Sequence, residues 1–366
     1  METYSGKLGL QQRVFPFYRA PFIDALAERC TGGLGFFAGD PRPGESIESG
    51  KALKSAVYTH AKNEHYFSGK LYLCRQPGLI SWLETWQPDA LIVEANPRYL
   101  STGGAVRWLH AHGRPVIGWG LGAPAMGGVL APLRWLRRRD VVGSFDAVVA
   151  YSQTGADEYR RLGISADRVF VAPNAATRAP SAPPPDRSGL KRLSLLYVGR
   201  LQARKRLDLL LRVCSGLPEE NRPDLTIVGD GSEREALENL AAQIHPRTVF
   251  TGTKIGPELD EYFKAANLFV LPGTGGLAVQ QAMSEGLPVV VAEGDGTQSN
   301  LVRAGNGWQV IPGSEEDLAR VLLEAGSDLQ RLNRMGAESY RIVKEEINIE
   351  RMVDVFIQAV RRAGEK

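Results

Sequence analysis

Arg200 and Lys205 stand directly after the apolar run LSLLYVG (193–199), and together they have the chemistry to hold a diphosphate. Arg offers a planar fork of N–H donors and Lys a compact positive charge. Residues just past the carboxyl end of a parallel strand face the ligand crevice of an open sheet. The alternative is a pair of solvated cations at a helix start. A second apolar run, NLFVLP, leads into PGTGGLAVQQAM, with Gly273, Gly275 and Gly276 directly before a helix. Glycines there let the N–H groups of Gly275, Gly276 and Leu277 approach an anion, and the helix dipole favours negative charge. Either signal alone is weak, because many Gly-rich strand-to-helix turns are only turns. Two in one domain weigh more. The five histidines are scattered and no acidic D-x-D pattern stands out, so the diphosphate charge is expected to be met without a metal or other cofactor.

The segments that position these residues alternate between short apolar strands and helices. Residues 177–190 read TRAPSAPPPDRSGL, where Pro180, Pro183, Pro184 and Pro185 withhold backbone donors and stiffen a linker. Beyond it come strand-like LSLLYVG, LTIVG, TVFTG, NLFVLP, PVVVA and GWQVI. Between them lie helices over 204–216, about 233–244, PELDEYFKAA and LAVQQAMSEG, and a Ser314-capped helix follows. Such alternation predicts a parallel sheet covered on both faces, a Rossmann-like doubly wound domain. The N-terminal half has strand candidates LGLQQRV, GLGFFAG, DALIVEA, PVIGWG, AVVAYS and VFVAPN, with helices over 20–29, 101–110 and 130–138. Residues 41–70 are the least patterned. The tail, 349–363, reads as an amphipathic helix with Met352, Val355, Phe356 and Val360 on one face. The expected fold is therefore α/β, with two Rossmann-like doubly wound domains: residues 1–176, the linker 177–190, a domain over 191–345, and a terminal helix within 346–366.

A chain of 366 residues accommodates two domains, and a net charge of +3 argues against a nucleic-acid binder. Cys30, Cys74 and Cys214 lack the spacing of a zinc site or disulfide framework and read as buried thiols. The N-terminus has no apolar core of signal-peptide length, and no apolar run reaches about 18 residues. A cytoplasmic protein is expected, peripheral at most to the inner face of a membrane.

The run VGRL-x-x-x-K-x-x-DLLL, then IVGDGSEREAL, FTG, the Gly-rich turn and AM-x-x-GLPVVV resembles the family 4 glycosyltransferases of GT-B fold over 193–322. Residues 151–175 resemble the end of that family's N-terminal domain. The resemblance implies two domains facing across a cleft and retaining, metal-independent hexosyl transfer from a nucleotide-diphosphate sugar, UDP- or GDP-linked. It implies donor contacts at Gly199, Arg200, Lys205, Thr274, Gly275, Gly276, Leu277 and Ala278, with Gly252, Thr253, Lys254 and Ile255 bordering the nucleobase. It also implies an acceptor in the N-terminal half and a terminal helix that crosses back onto that domain. The family usually carries two glutamates flanking seven residues in the turn and helix, where this chain has Gly273 and Gln281. Gln281 can still hydrogen-bond a ribose hydroxyl, whereas Gly273 cannot replace a carboxylate. A loop histidine is also missing after PVIGWG, where Trp119, Gly120, Leu121 and Gly122 stand. The chain reads as a branch lacking the usual paired glutamates.

Further candidates sit at other strand ends. In QQRVFPFYRAPF, Gln12, Arg13, Tyr18 and Arg19 are candidates for the sugar or acceptor side, with Trp119 at the end of PVIGW. Phe15 and Phe17 read as core, and Arg19 has a helix-start surface role as its alternative. In EANPR, Glu94 is the candidate for the missing carboxylate, beside Asn96 and Arg98; a solvated or salt-bridged Glu is its alternative. His110 and His112 at a helix end read as structural. Asp295, Gly296 and Thr297 follow PVVVAEG and either contact the sugar or make a plain turn. Residues 130–139, LAPLRWLRRR, combine apolar and arginine side chains as an interfacial helix does, or else form a core-packed helix with a basic outer face.

The expected function is glycosyl transfer to a glycan or lipid-linked hydroxyl in cell-surface polysaccharide or glycolipid synthesis, with Arg200 and Lys205 stabilising the departing diphosphate. The rivals are a non-catalytic module that binds a nucleotide sugar and an enzyme like the nucleotide-sugar 2-epimerases.

Overall fold

In the computed structural model, residues 2–365 are described except 44, 46, 125, 126, 129, 130, 276 and 295–297. Gly276, Asp295, Gly296 and Thr297 of the expected site, and Leu130 of the basic helix, thus lie outside the described residues. The chain forms two units, Met1–Ala176 with Ile349–Lys366, and Thr177–Asn348.

The first unit runs β1 (Leu8–Val14), α1 (Ala20–Glu28), β2 (Leu34–Gly39), β3 (Val57–Ala61), β4 (Glu64–Tyr66), β5 (Leu73–Arg75) and α2 (Leu79–Trp86). It continues through β6 (Ala90–Glu94), α3 (Thr102–Ala111), β7 (Val116–Gly120), α4 (Ala131–Gly143), β8 (Ala147–Ala150), α5 (Gln153–Arg161) and β9 (Val169–Val171). Seven parallel strands lie in the order β3-β2-β1-β6-β7-β8-β9. Strands covered on both faces have no polar side to offer, which is why AVVA of β8 is buried throughout. The strand order reverses between β1 and β6, and ligand crevices open at such a reversal. β4 and β5 form a separate antiparallel pair, with Tyr66 opposite Leu73. That hairpin and β3 fall in and just after the weakly patterned stretch 41–70. β3 is a sheet-edge strand with only Ala61 fully buried, so its alternation is faint.

The second unit runs β10 (Ser194–Val198), α6 (Leu207–Gly216), β11 (Asp224–Val228), α7 (Arg234–Ile244), β12 (Thr248–Gly252), α8 (Pro257–Ala265), β13 (Leu268–Leu271) and α9 (Leu277–Ser284). β14 (Val289–Ala292), α10 (Gln298–Leu301), β15 (Gly307–Val310), α11 (Glu315–Ser327) and α12 (Leu329–Glu345) complete it. Its six strands are parallel in the order β12-β11-β10-β13-β14-β15, reversing between β10 and β13. α6 begins only at Leu207; Ala203–Lys205 form a separate 3-10 turn, and Arg206 joins them at φ +55. Lys205 is therefore not a cation on the first turn of a helix. α12 has no clear signal in the sequence, because its buried face includes Gly336 and Ser339, which interrupt the apolar stripe.

The linker segment is part of this second unit. Buried Arg187 donates to the carbonyls of Ala266 (2.7 Å), Phe263 (2.8 Å) and Glu285 (2.8 Å), at the C-terminal ends of α8 and α9. Unpaired helix-end carbonyls carry partial negative charge, so a guanidinium is suited to them. Burial pushes that guanidinium down to about 10.

The last helix, α13 (Ile349–Gly364), belongs to the first unit and buries Ile349, Met352, Val353, Phe356, Ile357 and Val360. Phe356 meets Phe22 at 5.2 Å and Trp119 at 5.0 Å between ring centres. Among the described residues no helix is long and apolar enough to cross a membrane.

Candidate functional site

The C-terminal sheet places its cations at the β10/β13 reversal. The strand end after β10 is fixed by the Tyr197 hydroxyl, which donates to the Arg200 carbonyl at 2.9 Å. The chain then turns through Ala203–Lys205 and meets the turn after β13. The Thr274 N–H donates to the Arg204 carbonyl at 3.2 Å, the Lys205 ammonium donates to the Thr274 carbonyl, and Arg204 Nη1 reaches Thr274 Oγ1 at 3.3 Å. These two strand ends are thus tied together, although they are separated by nearly seventy residues in sequence.

Burial, reinforced by the neighbouring charges of Arg204 and Arg200, pushes Lys205 down to about 8. All of these causes oppose its charge, so the cluster has the electrostatics of a site prepared for an anion. Arg204 is the cation that sequence reasoning missed. Its signal was its place between two named cations, but only the fold brings it to the Gly-rich turn.

Gly273 has a packing reason. A Cβ there would fall 2.6 Å from Lys205 Cα and would also collide with the Arg204 carbonyl. The backbone of the 3-10 turn occupies the space that any side chain at 273 needs. Gly275 lies at φ +137, in a region L residues avoid, and the Lys205 ammonium occupies the space a Cβ there would need. Leu277 and Ala278 open α9, with half-buried Gln281 one turn on.

Gly252 ends β12 at φ +71, and its carbonyl accepts the Gly229 N–H at 2.9 Å. Thr253, Lys254 and Ile255 follow at the edge of the same sheet, two strands from β10. Lys254 pairs with Glu258 at 3.0 Å, and Ile255 is exposed, an apolar face beside a strand end.

In the N-terminal sheet, β1 and β6 end side by side at the other reversal. Glu94, the last residue of β6, accepts the Arg13 N–H. Burial raises its carboxyl to about 7, against the pull of that hydrogen bond and of the Arg13 and Arg19 charges. A carboxyl poised there can take up a proton near neutrality. Glu94 lies on a cavity of about 700 Å³, together with Asn96, Arg98, Trp119, Leu121 and Tyr151. Asn96 Oδ1 accepts the Arg98 N–H at 3.1 Å, a side-chain turn that sets Arg98 at the wall.

Four expected acceptor-side residues do not line this cavity. Gln12 is buried, and its carbonyl accepts from Gln76 at 3.1 Å. The Arg13 guanidinium is turned to Glu45 at 2.8 Å. Although burial opposes it, hydrogen bonding from Arg13 and Arg42 holds Glu45 down at about 2. Arg19 is not helix-start surface: it is 5% exposed and stacks 4.7 Å from the Trp119 ring, with half-buried Tyr18 alongside at 5.6 Å. Trp119 itself stands on β7 rather than in the loop beyond it, with its ring in the core. Phe15 is core as read, but Phe17 is exposed, because the 3-10 turn Phe17–Arg19 directs it outward. His110 pairs with Asp146 at 2.9 Å and His112 stacks on Trp108 at 4.2 Å, both structural contacts.

The family described as Glycosyl transferases group 1 matches residues 184–342, and the Glycosyl transferase 4-like domain matches 40–175. The chain is 37% identical over 135 residues to the sulfoquinovosyl transferase of Arabidopsis thaliana, covering 36% of this chain and 24% of that one. It is 28% identical over 255 residues to the D-inositol 3-phosphate glycosyltransferase of Xylanimonas cellulosilytica, covering 63% and 61%. The chain thus spans less than two thirds of the length of these curated relatives. The fold is that of Anabaena HepE in complex with UDP, with a TM-score of 0.70, 16% identity, and coverage of 99% and 100%. Two Rossmann-like parallel sheets give the chain the GT-B fold, with the match to the group 1 glycosyltransferases lying in its second unit and the match to the glycosyl transferase 4-like domain in its first.

Proposed function

We propose that the protein transfers a hexosyl unit from a nucleotide-diphosphate sugar to a hydroxyl acceptor, with retention of configuration and without a metal. The observation that carries this reading is the joining of Lys205 and Arg204 to the glycine turn at Thr274, beside Arg200. As the bond from the anomeric carbon to the diphosphate breaks, negative charge grows on the leaving oxygen. Arg200 and Lys205 stabilise it, and the N–H groups of Gly275, Gly276 and Leu277 add to them. Gln281 serves the ribose, and Gly252, Thr253, Lys254 and Ile255 border the base. A UDP-sugar is favoured by the UDP in the HepE complex, with GDP-sugars the alternative.

The acceptor belongs to the N-terminal unit, where Glu94 receives the proton of the attacking hydroxyl. A glycan or lipid-linked acceptor in cell-surface polysaccharide or glycolipid synthesis fits, and residues 130–139 give the protein a peripheral hold on the inner face of the membrane. The loss of a carboxylate at Gly273 defines a branch in which backbone packing, not a sugar contact, sets that position. Turnover of Arg200→Ala at saturating donor is expected to fall on the order of a hundredfold. Near wild-type turnover would remove the phosphate assignment.

A further inference from the structure

The cavity in the N-terminal unit has walls of two unlike kinds. α4 contributes Leu133, Arg134, Arg137 and Arg138, which fall at helical spacing on one face. The loop between β4 and β5 contributes Phe67 and Leu71 to the same cavity. Among its described lining residues, Arg98, Arg134, Arg137 and Arg138 stand against one carboxylate, Glu94. Arg134 donates to the Gly127 carbonyl and Arg138 to the Pro124 carbonyl, at 2.8 and 2.7 Å, so neutral groups fix both forks in place. Burial, and after it the charges of Arg98 and Arg134, lowers the pKa of Arg138, against the pull of Tyr159 and Glu158, so Arg98 and Arg134 both lie within electrostatic reach of Arg138. Like charges gathered in a cavity are relieved by an anion, and guanidinium forks match phosphate oxygens.

The apolar side chains at the same cavity face water. Phe67 is 72% exposed, Leu71 66% and Leu133 65%. Phe67 is held at φ +58, a costly conformation for an aromatic residue, at the end of β4. On α4, Trp135 and Leu136 are also exposed, and Arg139 stacks on Trp135 at 5.1 Å. A soluble phosphate ester would satisfy the arginines and leave the apolar residues wet. A neutral glycolipid would do the reverse.

We propose that this cavity takes the hydroxylated, phosphate-bearing head group of a membrane lipid as the acceptor, with Arg98, Arg134 and Arg138 on the phosphate and the tails leaving past Phe67, Leu71 and Leu133. Glu94 meets the head-group hydroxyl. The proposal rests on the glycosyltransferase reading above and names its acceptor class.

The test is co-sedimentation of the full chain with vesicles of phosphatidylcholine alone, or mixed with phosphatidylglycerol or with a neutral galactolipid. Binding is expected only with phosphatidylglycerol. Two double variants, Arg134→Gln with Arg138→Gln and Phe67→Ser with Leu71→Ser, should each weaken it by about tenfold or more. Both should keep the thermal stabilisation by UDP or GDP that wild type shows, since that readout belongs to the other unit and reports a folded protein. Supplied with the matching nucleotide sugar, wild type should glycosylate phosphatidylglycerol, and both variants should lose that product. Equal binding to neutral and anionic vesicles, or stabilisation by free glycerol phosphate that the Phe67/Leu71 variant leaves unchanged, overturns the lipid assignment while the donor reading stands. Absence of any nucleotide stabilisation in wild type overturns both.

Discussion

A Cβ on Gly273 would lie 2.6 Å from the Cα of Lys205, so the glycine turn and the cationic turn pack backbone against backbone. Gly273→Ala should therefore push the two apart, costing about 1–3 kcal/mol of stability and weakening nucleotide binding at least as much as it weakens the fold. Gly273→Glu, which restores the family's usual residue, should do worse. Denaturant melts and calorimetric titration with UDP or GDP check both, and a stabilised, tighter-binding glutamate variant would refute the packing argument.

Lys205 sits at about 8, pushed down by burial and then by Arg204 and Arg200. Only its protonated form attracts a diphosphate. Nucleotide affinity should be flat below pH 8 and fall by up to about tenfold per unit above it. Calorimetric titrations from pH 6 to 10 would reveal the bend, and Lys205→Arg should remove it.

Arg204 bears on the same titration. Replacing it by Gln takes away the larger of the two neighbouring charges that oppose the Lys205 proton. The bend in affinity should move to higher pH while affinity at pH 7 drops, because the contact to Thr274 Oγ1 is lost too. An unmoved bend would separate Arg204 from the site.

Glu94, raised to about 7 by burial, works as a base only when deprotonated. Turnover should rise with pH through about 7. Glu94→Gln should lower turnover by about 10²–10⁴-fold and lose that rise, while nucleotide binding is unchanged. A pH–rate profile of the two proteins decides it.

Phe356, fully buried between Phe22 and Trp119, makes α13 part of the first unit's core. Phe356→Ala should cost about 3–5 kcal/mol, seen as earlier unfolding of that unit in a melt followed by tryptophan fluorescence.

Much of this was legible in the sequence because parallel strands buried on both faces leave uninterrupted apolar runs, as in PVVVA and AVVA, and because phosphate chemistry clusters at strand ends. Arg200, Lys205 and the glycine turn are named on that ground, and the fold brings Lys205 onto the turn at Thr274. What escaped depends on contacts far apart in the chain. Arg204 gains meaning only against Thr274, and Gly273 only against the backbone of Lys205. Arg13 is turned to Glu45, which lies in the unpatterned stretch 41–70. Arg19 lies beneath Trp119, which is reached through another strand. Phe67 and Leu71, flanking SGK in a polar stretch, carried a turn signal but no sign of the arginines lining the same cavity.

The most direct measurement of the central claim is thermal stability of wild type and Lys205→Ala with UDP, GDP, ADP, CMP and dTDP, in the presence of a metal chelator. One nucleoside diphosphate should stabilise wild type by roughly 2.7 kcal/mol at about a hundred times its dissociation constant, and the variant should lose most of that gain. No shift with any of the five, or a shift that survives in Lys205→Ala, would contradict a donor site built on the two joined strand ends.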